Sequence, residues 1–186
     1  MGPGRISLVA AVSLTLAGCG GGSGSAPTAG GRTVHGATET GMKLEVETFV
    51  SPKGDRMLAQ LDAYRAAAHF APVDYHRVVA DNSRGDEPDS GRVVTFAPNA
   101  EAIAAGEGLP AQFSCDVLRF QWAPPTPALA GRYQALRRSL CAEGPPKRDG
   151  IAPGRRDVYY LVTPRGFEER GLKRLRIFGP ASAELK

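Results

Sequence analysis

An α+β domain built around a mainly antiparallel β-sheet is the fold that this sequence predicts. Three observations carry the prediction. Short segments alternate apolar and polar residues as half-buried strands do. Two longer segments repeat apolar residues every three or four positions as helices do. The two kinds of segment do not follow the βαβ rhythm of a parallel sheet. The chain has 186 residues with 23 Gly and 15 Pro, but ten of the glycines precede Ala37. The remainder has ordinary globular composition and the length of one domain. A large multidomain enzyme, a collagen-like or coiled-coil fibre and a polytopic membrane protein are thereby excluded.

The elements follow in order. In Met42 to Val50 the residues Leu44, Val46, Thr48 and Val50 alternate onto one strand face, with mostly charge on the other. A helix is expected over about 55–70, with Met57, Leu61, Tyr64 and Ala68 on one side and Ala71-Pro72 as its stop. Val73 to Ala80 reads as a second strand, closed by the turn-forming stretch Asp81 to Pro88. Arg92 to Phe96 is the third strand, and Gln112 to Trp122 the fourth, with a bulge near Val117-Leu118. A second helix is expected over about 127–141. Thr126-Pro127 starts it, Leu129, Tyr133, Leu136 and Leu140 form its apolar stripe, and Gly144-Pro145-Pro146 ends it. Pro153-Gly154 turns into a fifth strand at Asp157 to Val162, and Leu172 to Phe178 is the sixth.

The N-terminus carries the most specific signal. Arg5 precedes the uncharged run Ile6 to Ala17. As a helix that run spans about 18 Å, too short for the ~30 Å hydrocarbon core, which suits a cleaved export signal rather than a permanent span. It ends in Leu16-Ala17-Gly18-Cys19, which resembles the lipobox of bacterial lipoproteins at all four positions. The resemblance implies cleavage between Gly18 and Cys19, acylation of the Cys19 thiol with chains such as palmitate, and a mature protein held on the extracytoplasmic face of the cell membrane. Residues 1–18 are then signal peptide. Residues 19–36 are the lipidated cysteine and a flexible Gly/Ser-rich tether, and 37–186 a single extracytoplasmic domain. Two acyl chains anchor stably where one is marginal.

Export also bears on the other two cysteines. In an oxidising compartment Cys115 and Cys141 form an even pair, and a disulfide between them would staple the second helix to the fourth strand. The alternatives are two buried thiols, or a nucleophilic Cys115 served by one of His35, His69 and His76.

A second resemblance is weaker. Tyr75 to Asn82, a strand followed by Asn before a turn, and Ile151 to Val162, a Pro-Gly turn feeding an alternating strand, look like segments of immunoglobulin-like envelope domains of unknown function. It implies a sandwich form of the sheet and a binding or structural role, although two helices depart from a plain sandwich.

Catalytic motifs do not stand out. The histidines and cysteines lack metal-ligand spacing, and GxSxG, P-loop and GxGxxG patterns are missing from the sequence. No metal or cofactor is expected. Asp81, Asp86, Glu87 and Asp89 read as a solvated acidic loop, with a weak calcium site as the sharper alternative. Charge is split along the chain: residues 37–118 carry a net −6 and residues 119–186 a net +8, within a total of +4. The cluster Arg165, Arg170, Lys173, Arg174 and Arg176 is a candidate patch for an anionic partner such as lipid headgroups or a cell-wall polymer, or else a solvated strand edge. Export points away from nucleic acid.

The expected function is therefore a membrane-anchored, non-enzymatic envelope module that binds or scaffolds another envelope component. The alternative is a small-molecule or lipid-binding lipoprotein with a pocket between sheet and helix, lined by Phe120, Trp122, Tyr133 and Tyr160. A hydrolase with an unrecognised site is the third reading.

Overall fold

Strand pairing begins earlier in the chain than its composition suggests. The computed structural model describes residues 31, 33–89, 92–97, 105, 109–142, 150–165, 174–178 and 182–184. Strand β1 (Thr33–Ala37) pairs antiparallel with β2 (Lys43–Glu47), setting Val34 opposite Val46 and Gly36 opposite Leu44. Residues 33–36, read above as tether, therefore belong to the sheet, and Val34 is buried in its core. The glycine-rich neighbourhood hides a five-residue strand whose single large apolar side chain is too sparse a signal on its own.

The sheet continues through β3 (Val73–Asp81), β7 (Arg156–Pro164) and the two-residue β6 (Gln112–Phe113), in the order β1-β2-β3-β7-β6 and antiparallel throughout. Residues directly opposite one another share a face, so the register builds rows. Val34, Val46, Val78 and Tyr159 form one row. Leu44, Ala80, Leu161 and Phe113 lie on the same face, with the Phe113 and Tyr159 rings 5.4 Å apart. Each aliphatic side chain buried here contributes about 1.5–3 kcal/mol relative to exposure.

The strict alternation expected over residues 42–50 breaks at Phe49, which adopts φ +52°. That turn sends Val50 to the opposite side of the sheet from Leu44 and Val46, where its N–H donates to the Tyr75 carbonyl at 2.8 Å. There Tyr75 and Val162 are covered by helices. Helix α1 (Arg56–Ala67) is capped by Asp55, whose Oδ1 accepts from the N–H groups of Met57 at 2.8 Å and Leu58 at 3.1 Å. Its buried stripe is Leu58, Leu61, Tyr64 and Ala68, with Met57 only half-buried. It ends in a Schellman turn: the Phe70 N–H donates to the Arg65 carbonyl and the His69 N–H to that of Ala66, with His69 left-handed at φ +58°.

The segment read as a fourth strand is mostly helix. Only Gln112 and Phe113 are extended, and Ser114–Phe120 forms α2. Phe113, Cys115 and Val117 alternate, but Cys115, Leu118 and Trp122 also recur at helical spacing, and all of these are buried. Packing against the next helix selects the second period over the first. That helix, α3 (Ala130–Ala142), follows a single 3-10 turn at Pro127–Leu129 and buries Tyr133, Leu136 and Leu140 as expected.

A second antiparallel sheet has the order β5-β4-β8-β9, from β4 (Arg92–Ala97), β5 (Leu109–Pro110), β8 (Arg174–Phe178) and β9 (Ser182–Glu184). Strand β9 lies beside β1. The architecture is α+β, with three α-helices and nine strands among the described residues rather than two and six. None of the described helices is long and apolar enough to cross a membrane.

Candidate functional site

One end of the five-stranded sheet gathers the start of β1, the end of β2, the start of β3, the end of β7 and the C-terminus of α1. A cleft of about 560 Å³ opens there, lined among others by Gly31, Glu47, Asp62, Arg65, Asp74, Tyr75 and Arg165. Gly31 lies so close to the backbone just after β2 that a Cβ on it would stand 2.0 Å from the Thr48 carbonyl oxygen, so only glycine fits.

The polar groups of the cleft are set by α1 and β3. Asp62 and Arg65 are three apart on α1, on one helix face, and Arg65 Nε donates to Asp62 Oδ1 at 2.8 Å. The Tyr75 hydroxyl donates to the same oxygen at 3.0 Å, and Arg65 Nη1 donates to the Phe70 carbonyl at 3.0 Å. Burial and then the Asp62 carboxylate hold the Tyr75 hydroxyl well above its ordinary pKa. Burial alone would weaken the Arg65 charge, but Asp62 outweighs it and raises that pKa too. Tyr75 thus stays a phenol and Arg65 a cation, a fixed arrangement of donors around one carboxylate. Such a set suits holding a polar ligand more than moving protons.

Two further polar clusters tie elements together. Asp55 Oδ2 accepts from the Tyr160 hydroxyl at 2.7 Å, which fastens the start of α1 to β7. Burial first, then Asp55, pushes the Tyr160 hydroxyl up to about 12, with Arg77 opposing. At the far end, Asp89 is buried and accepts from Thr38 Oγ1 at 2.6 Å and from Thr40 Oγ1. Asn82 Nδ2 donates to the carbonyls of Glu87 and Ile151, each at 2.8 Å.

These positions correct the expectation of one acidic loop. Asp89 points into a threonine pocket, while Asp81 turns to the Ser83 N–H at 2.9 Å, and Asp86 and Glu87 are exposed. Among the described residues no group of His, Cys, Asp and Glu is arranged to hold a metal ion. His35 is exposed on β1, His69 sits in the α1 turn, and His76 is buried between Phe49 and Thr163.

Cys115 and Cys141 are joined as a disulfide, with Cα atoms 5.2 Å apart. It connects α2 to α3, helix to helix rather than strand to helix, and removes Cys115 as a nucleophile. The four aromatic residues expected around one pocket are dispersed. Phe120 is 75% exposed, Trp122 stacks on Phe70 at 5.7 Å, Tyr133 packs near Tyr64, and Tyr160 bonds Asp55. Of the basic cluster, Arg165 is exposed at the cleft, and Arg174 and Arg176 lie in β8 opposite Glu184 and Ser182 of β9. Arg170, Lys173, Gly18 and Cys19 lie outside the described residues.

Sequence reasoning passed over Asp62, Arg65 and Tyr75. The Asp-x-x-Arg spacing on a predicted helix was a usable signal for the first two. Tyr75 joins them only through packing of α1 on β3. Comparison with known proteins finds no matching family model, no matching curated protein and no matching solved structure.

Proposed function

We propose that this chain is a bacterial envelope lipoprotein, anchored through Cys19, whose domain binds or scaffolds another envelope component without catalysing a reaction. One observation carries the binding part. Gly31, where the chain arrives from the glycine-rich tether, lines the same cleft as Asp62, Arg65, Tyr75 and Arg165. A candidate site and the path to the anchor therefore share one end of the domain. The anchor itself rests on Leu16-Ala17-Gly18-Cys19 and the short apolar run before it.

The alternative, a lipoprotein that binds a small molecule or lipid, draws on the size of the cleft, which falls within the ~300–1,000 Å³ of ligand pockets. It differs from the aromatic pocket first expected, being lined by paired charges and a phenol. The finer, immunoglobulin-like form of the fold draws support from two antiparallel sheets with β1 and β9 side by side. Helices over one face of the larger sheet depart from it.

The anchor is tested by growth with an alkyne-bearing fatty acid. The natural chain should acquire the label and Cys19→Ala should not; normal maturation and membrane retention of that variant would overturn the anchor. The site is tested by a photo-crosslinking residue in place of Ser51, exposed at the cleft rim. A discrete adduct in intact cells is expected, whereas a pattern identical to that from distant Glu87 would count against the cleft. A small molecule that co-purifies and is lost in Arg65→Gln would favour the alternative.

A further inference from the structure

We infer that the end of the domain from which the tether leaves, centred on Phe120, docks onto the headgroups of an anionic bilayer. This rests on the lipoprotein reading above and names the surface that faces the membrane.

Phe120 is a large hydrophobic side chain with 75% of its surface exposed. The Arg119 guanidinium lies over its ring, 5.5 Å from the centroid. Helices α2 and α3 run antiparallel. The Cys115–Cys141 disulfide joins them at one end, and at the other Tyr64 donates to the Trp122 carbonyl at 2.8 Å and lies 6.1 Å from Tyr133. Phe120 and Arg132 consequently belong to the same end. So does Phe70, stacked on Trp122 and followed by Val73, which pairs with Pro164 beside Arg165. Gly31 and Arg165 line one cleft there.

Arg119, Arg132 and Arg165 are solvent-exposed at this end. The acidic groups nearby are Asp62, paired with Arg65, the half-buried Glu47 and Asp74 of the cleft, and the half-buried Asp116, one turn before Phe120 on α2. The opposite end mixes exposed Glu39, Asp86 and Glu87 with Arg84, Arg155 and Arg156. Eleven residues lie between Cys19 and Gly31. They reach at most about 40 Å when extended and roughly 20 Å when relaxed, so an acylated Cys19 keeps this end within touch of the surface. An exposed aromatic side chain with one arginine over its ring and two more exposed arginines at the same end matches an anionic interface, where the ring enters the headgroup boundary and the guanidiniums meet phosphate.

The experiment uses the lipidated protein carrying Phe120→Trp and Trp122→Phe, which leaves a single indole at position 120. It is reconstituted into vesicles with brominated acyl chains, either phosphatidylglycerol or phosphatidylcholine. Quenching is expected in the anionic vesicles and not in the zwitterionic ones, and it should fade with added salt. Replacing Arg119, Arg132 and Arg165 by Gln should reduce the docked population about fivefold per arginine. An indole placed instead at the opposite end by Glu87→Trp, with Trp122→Phe, should stay unquenched. No quenching at position 120, equal quenching in both lipids, or equal quenching at position 87 overturns the inference. Should Trp122→Phe unfold the helices, protection of the Arg119 bond from trypsin on anionic vesicles, lost in Phe120→Ser, gives the same decision. Mass spectrometry of Cys19 separates the two failures. An acylated, unquenched protein sinks the docking surface alone. An unacylated protein sinks the lipoprotein reading, and docking then survives only if that protein binds anionic vesicles added to it.

Discussion

Tyr160 donates its hydroxyl to the same Asp55 carboxylate that caps α1, one oxygen serving the helix and the other the sheet. The helix layer is thereby fixed at its start by a charge-assisted hydrogen bond to the middle of β7. Tyr160→Phe should destabilise the domain by about 1–2 kcal/mol, because the carboxylate loses a neutral donor but keeps its two backbone donors. Asp55→Ala should cost more, since the cap is lost as well. Urea unfolding of both variants and the double variant checks this. Strict additivity would mean that the two residues do not act together.

His76 is buried, and desolvation pulls its pKa down to about 3. The unfolded chain, with an ordinary histidine near 6.5, binds a proton that the folded one refuses between these values. Stability should therefore fall as pH drops from about 6.5 towards 3, with a slope approaching ~1.4 kcal/mol per pH unit from this residue. Carboxylates contribute in the same range, so the difference between natural protein and His76→Gln is the quantity to measure. Parallel stability–pH curves would refute the assignment.

The disulfide closes a loop with a sequence separation of 26 between Cys115 and Cys141. On the chain-entropy relation that crosslink contributes about 3.5 kcal/mol. Paired Cys115→Ala and Cys141→Ala changes should lower the urea midpoint accordingly. The natural protein, denatured without reductant, should yield no free thiol from either position; two titratable thiols would remove the crosslink.

His69 occupies the left-handed position that closes α1, where glycine has no Cβ to clash. His69→Gly should stabilise the domain by about 0.5–1 kcal/mol despite the greater freedom of glycine in the unfolded chain. Thermal unfolding would register this as a higher Tm, and a lower one would mean that the imidazole makes contacts worth more than the strain.

Much of the fold was legible because it depends on local periodicity. The Leu61–Tyr64–Ala68 stripe, the Tyr133–Leu136–Leu140 stripe and the β-rich runs of β3 and β7 all express rules that act within a few residues. Where two periods fitted, as at Phe113 to Trp122, local pattern was insufficient and packing on α3 chose helix. At Phe49 a single left-handed residue reversed which face Val50 joined, a change that apolar alternation does not encode.

By itself the sequence pointed to the α+β class, the two long helices, strands at 73–80 and 157–162, and Cys115 and Cys141 as a candidate pair. Each of these follows from short-range stereochemistry or from counting. Only the tertiary structure decided that Asp62, Arg65 and Tyr75 share one carboxylate oxygen, that Asp89 is buried beneath Thr38 and Thr40, and that Phe120 stands exposed at the end where Gly31 enters. Apart from the Asp62–Arg65 pair on one helix face, those relationships join residues 13 to 89 positions apart, and their distances are set by how faces pack rather than by spacing along the chain.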